Sequence, residues 1–156
     1  MTGIKHKLFF ELTWWALTIV VLLLILLPIW FAVENNYGFY RENIITIIIA
    51  ITFGRYLFFL KHHWMTASKW YKLIFVFLPV GVFFFLMDSY YDFQRFCDEE
   101  GLHSIMDGLS PQYQNQMAIY IKTQMTLFWS AAFISNILLP FKMTRSIYRK
   151  LKKGID

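Results

Sequence analysis

At 156 residues, with 58% hydrophobic, 21% aromatic and only 16% charged side chains, the chain is too apolar and too poor in charge for a soluble domain of its size. Its net charge of +5 invites a nucleic-acid reading. The basic residues, however, form no aromatic-interleaved groove or known nucleic-acid motif, so no nucleic-acid partner is expected.

The first apolar run, Leu8 to Val33, is "LFFELTWWALTIVVLLLILLPIWFAV". It exceeds the roughly 20 residues that cross about 30 Å of hydrocarbon. It is also longer than the roughly 7–15-residue core of a signal peptide, and no small-x-small site follows it, so a retained span is expected, with Pro28 a kink position. One carboxylate, Glu11, lies inside it. The second run, Asn43 to Leu60, reads "NIITIIIAITFGRYLFFL" and holds Arg55. Thr46, Ala50 and Gly54 recur there every fourth residue, a small-residue face that lets helices approach closely.

The third run, Leu73 to Tyr91, ends in "MDSYY", bringing Asp88 into its last turn. The segment 92–117 is polar and acidic and is expected to be an outer loop carrying a short surface helix. The fourth run, Ala118 to Phe141, contains Lys122, Thr126 and Ser130 at i, i+4 and i+8, a polar stripe. The remainder, 142–156, is a basic tail in which Lys142, Arg145, Arg149, Lys150, Lys152 and Lys153 suit anionic lipid headgroups, at about 1 kcal/mol per cation. Barrel strands would be about ten residues long and alternate in polarity, which none of these runs does. The fold class is therefore an all-α, four-helix integral membrane bundle forming a single domain over 1–156.

Orientation follows the distribution of cations in short flanks. Of the 15 Lys and Arg residues, eleven fall in the N-terminal flank, the link between the second and third runs, and the tail. The other two connections carry only Arg41 and Arg95 among many carboxylates. Both termini are expected to be cytoplasmic, in a cytoplasmic (inner) membrane.

A charge at bilayer centre costs about 2.5–3.5 kcal/mol on insertion scales, so Glu11, Arg55, Asp88 and Lys122 each call for a partner. Depth counted from the span boundaries pairs Glu11 with Arg55 near the cytoplasmic side and Asp88 with Lys122 near the outer side. The competing expectation is that the two long basic side chains reach the headgroups unaided.

Enzyme chemistry has one foothold, Asp88 and Asp92 one turn apart, two carboxylates able to share a proton or a divalent cation. A metal has another in Glu100 and His103, which have i, i+3 spacing if helical. Haem ligation is not expected, because His6, His62, His63 and His103 all fall in flanks or loops, and no other cofactor motif is present. Cys97 is the only cysteine and cannot form an intrachain disulfide.

These features suit a small, multi-pass accessory, assembly or interaction protein without enzymatic activity. Its partners are then the bilayer, anionic headgroups, and a protein partner or a second copy of itself. A small transporter or channel would instead bring Glu11, Arg55, Lys122, Thr126 and Ser130 onto one path, and a membrane enzyme would gather Asp88 and Asp92, with His103 as a further candidate, in one outer cleft.

Overall fold

In the computed structural model, residues 2–33, 36–59 and 69–152 are described. They form α1 (Thr2–Val33), α2 (Tyr40–Phe59), α3 (Lys69–Glu99), a 3-10 turn (Leu102–Ile105) and α4 (Pro111–Lys152). All four α-helices are long and apolar enough to cross a membrane, and no strand occurs among the described residues. Long apolar runs become helices here because a backbone in hydrocarbon must satisfy its own N–H and C=O groups. The molecule is an integral membrane four-helix bundle.

The helices extend further than the apolar runs. α3 continues from Tyr91 to Glu99, and α4 begins at Pro111 and continues to Lys152. The expected outer loop 92–117 thereby shrinks to the stretch around the 3-10 turn, and the expected tail is helical as far as it is described. α4 has 42 residues, about 63 Å, twice the thickness of the hydrocarbon. Lys61, His62, His63, Trp64 and Lys153 lie outside the described residues.

The helix ends have local causes. Ser110 precedes α4 and accepts from Gln114 N at 2.9 Å, with Pro111 at the first helical position, where its missing N–H costs nothing. At the end of α3, Glu100 N and Gly101 N both donate to Phe96 O, at 3.1 and 2.9 Å. Gly101 then takes φ 76 and ψ 146, a region open essentially to glycine. We expect Gly101→Ala to lower stability by about 1–3 kcal/mol, read as a lower midpoint in denaturation from mixed micelles.

α4 is the central helix, with α2 and α3 packed along it, while α1 touches α2 and α4 over shorter stretches. α2 runs parallel to α4, and a Cβ on Gly54 would sit 3.9 Å from Ser135 Oγ. α3 is antiparallel: Asn136 Nδ2 donates to Pro79 O at 3.0 Å and Trp129 Nε1 to Leu86 O at 2.6 Å. Seven residues separate the members of these two pairs on both helices, which fixes the register. The Thr46, Ala50 and Gly54 face meets α4 through Ala132 and Ser135, whereas Ala131 is exposed.

One end of the bundle, here the loop end, is closed by the 3-10 turn. Leu102 and Met106 bury there against Val33, Tyr37, Phe93 and Ile121. Ala50, Leu86 and Ala132 meet midway, and Phe53, Tyr56, Leu139 and Met143 pack toward the opposite, terminal end. Large side chains such as Leu24, Phe31, Phe58, Phe84 and Phe141 are exposed around the bundle. An apolar surface this extensive belongs in lipid.

Candidate functional site

Glu11 and Arg55 meet toward the terminal end. Arg55 Nη2 is 3.2 Å from Glu11 Oε2, with the two side chains 3% and 8% exposed. Trp15 lies one turn beyond Glu11 on the same face of α1, and its ring stands 5.2 Å from Arg55 Cζ; the Tyr56 ring is at the same distance. The guanidinium is thus enclosed by a carboxylate and two aromatic faces. It does not reach for the headgroups, because a snorkelling arginine would have its head exposed.

Asp88 and Lys122 are not brought together. Both are exposed, and no ion pair joins them among the described residues. The register explains this: Lys122 is level with Phe93, five residues and about 7 Å nearer the loop end than Asp88. Lys122 is also level with Arg41, near the end of α2. The polar stripe is likewise displaced from the interior. Thr126 is exposed and Ser130 half-buried, while the inward polar side chains of α4 are Gln124, Ser135 and Asn136. Glu11 and Arg55 are buried toward the terminal end, whereas Lys122 and Thr126 face outward and Ser130 is half-buried.

The Asp88 and Asp92 pair lies on an exposed face of α3, and Asp92 Oδ1 accepts from Arg95 Nη2 at 3.3 Å. Glu100 and His103 do not share a helix, because Gly101 breaks the chain direction between them; His103 Nε2 lies 2.9 Å from Asn115 Oδ1 instead. Among the described residues, no group of three or more His, Cys, Asp or Glu converges as a metal site would. In the tail, Arg145, Arg149 and Lys152 are exposed and Lys142 half-buried; the side chain of Lys150 is not described. Cys97 is half-buried.

Two features escape a reading by apolar runs. The first is a cleft of about 430 Å³ at the loop end, lined by Phe39, Asp92, Arg95, Phe96, Glu99 and Glu100. Its signal was the spacing of Phe93 and Phe96 with Leu86 and Ser89, a helical face continuing through the acidic segment. The second is a set of buried polar side chains in the loop-end half of the bundle: Asn43 and Thr46 on α2, Ser89 on α3 and Gln124 on α4. Asn43 and Thr46, three apart and so on one face, were visible in the sequence; that Ser89 and Gln124 face them was not.

No family model matches the chain, and no curated protein or solved structure is significantly similar to it. Fold and site together define a four-helix membrane bundle with a sealed ion pair toward one end and an acidic, aromatic cleft at the other.

Proposed function

We propose that this is a multi-pass protein of the cytoplasmic membrane, both termini cytoplasmic, that serves as a non-enzymatic accessory, assembly or interaction protein. The single observation that carries this reading is the loop-end cleft. It sets three carboxylates, Asp92, Glu99 and Glu100, against one guanidinium, Arg95, beside Phe39 and Phe96. Net negative charge beside aromatic rings suits a basic segment of a partner protein, which would gain charge pairing at the rim and cation–π contact below. The distribution of Lys and Arg supports an external position for this end.

A photoreactive side chain placed at Glu100 in the intact membrane tests the reading. The expected result is one discrete protein adduct that disappears in the Asp92→Asn, Glu99→Gln double variant and in 1 M salt, where charges are screened beyond about 3 Å. Labelling of lipid alone, or an adduct indifferent to both changes, overturns it. A reporter fused after Gly108 is expected outside the cell, and cytoplasmic activity there reverses the orientation.

A further inference from the structure

We infer that Glu42, Asn43, Thr46, Ser89, Gln124 and Tyr37 form a buried binding site for a dehydrated monovalent alkali cation. This inference stands apart from the proposed partner cleft and does not depend on it.

The site follows from the register. Gly54 faces Ser135, and Asn43 and Gln124 lie 11 residues from them in the same direction along parallel helices. Eleven residues make about 16 Å and close to three full turns, so Asn43 and Gln124 face each other at one height. Thr46 stands one turn from Ala50, which shares a buried cluster with Ala132 of α4 and Leu86 of α3, and Ser89 is one turn from Leu86. The register of α3 on α4 sets Ser89 level with Thr126, within about 3 Å of the height of Gln124. Glu42 is one turn from Thr46 on the same side of α2. Tyr37, in the connection before α2, is within hydrogen-bonding reach of Asn43 and has Glu42 as an electrostatic neighbour.

Five of these groups are deeply enclosed, and Glu42 is half-buried with one carboxylate oxygen turned inward. Tyr37, Asn43, Thr46, Ser89 and Gln124 are all at least nine-tenths buried. Glu42 Oε2, both polar atoms of the Gln124 amide, Thr46 Oγ1 and Ser89 Oγ have no hydrogen-bond partner, while the Tyr37 phenol and the Asn43 amide lie beside one another. The layer is closed on one side by Ala50, Leu86 and Ala132 and on the other by Phe93 and Ile121. Buried polar atoms left without partners are strongly unfavourable, and a buried carboxylate oxygen most of all.

The chemistry of the donors selects the ligand. Six oxygens from a carboxylate, two amides and three hydroxyls are hard ligands, of the kind that replace the water shell of alkali and alkaline-earth ions. Only Glu42 brings a charge. Burial pushes the Tyr37 phenol far above its ordinary range, so it remains a neutral hydroxyl. A single negative charge balances a single positive one, whereas a divalent ion would leave an uncompensated charge in a poorly polarisable interior. Each amide turns its oxygen to the ion and leaves its NH2 to donate to accompanying water.

The test is thermal unfolding of the full chain in detergent, with LiCl, NaCl or KCl replacing choline chloride at constant ionic strength. At least one alkali chloride is expected to raise the midpoint saturably, by about 5 °C at full occupancy. Glu42→Gln and Thr46→Val are expected to abolish that rise while leaving the choline midpoint within about 2 °C. Equal midpoints in choline and in all three alkali chlorides overturn the proposal, and this arm needs no variant to fold. A cation response that survives in both variants also overturns it, since the ion would then lie elsewhere.

Discussion

Glu11→Gln and Arg55→Gln, made singly, will each cost about 3–5 kcal/mol of stability, and the double variant will cost clearly less than their sum. The reason is an asymmetry of burial. Glu11 is 6% and Arg55 4% exposed, so removing either partner strands the other charge between helices, away from water. Replacing both leaves two neutral amides able to bond to one another. Trp15 and Tyr56 sharpen the expectation for Arg55, since its guanidinium also loses two aromatic faces that a glutamine does not use. Reversible unfolding in mixed micelles measures all three variants. Additive costs would mean that the 3.2 Å contact couples nothing. The pair also bears on architecture: α1 is the least embedded helix, and this contact fastens the half of it remote from Ile29 and Val33.

The spans were legible because hydrocarbon imposes a length that soluble folds do not, and each of the four apolar runs contains enough consecutive oil to meet it. Depth near a charged flank was legible too, which is why Glu11 and Arg55 could be set level from the span boundaries on the side expected to be cytoplasmic. The same reasoning failed for Asp88 and Lys122. Their depths were counted from where hydropathy fades, at Tyr91 and Ala118, yet α3 and α4 run past those limits, to Glu99 and from Pro111. Helices that outlast their own hydrophobicity shift every depth measured from that boundary. Which face turns inward was equally hidden: Thr126 and Gln124 are two residues apart on α4, and only the register against α2 and α3 makes Gln124 the interior one.

Trp129 marks the contact on which that register depends, and Trp129→Ala is expected to cost about 3 kcal/mol, the lower end of the range for removing a large aromatic side chain. The lower end applies because lipid is as apolar as the protein interior, so the usual transfer contribution is largely missing and the loss is one of packing and hydrogen bonding. Both are substantial here. The indole stacks on Tyr90 at 4.0 Å between centroids and on Phe133 at 5.0 Å, joining α3 to α4 through a three-ring column. Its Nε1 donates to Leu86 O at 2.6 Å, beside the midway cluster of Ala50, Leu86 and Ala132. Trp129→Phe separates the two contributions. It keeps a ring between Tyr90 and Phe133 and gives up only the indole N–H, so about 1 kcal/mol or less is expected, in line with interhelical hydrogen bonds in bilayers. Unfolding midpoints of the two variants decide the matter: a phenylalanine as costly as alanine would assign the anchor to the hydrogen bond, and an alanine as mild as phenylalanine would leave the α3–α4 register to Asn136 and Pro79.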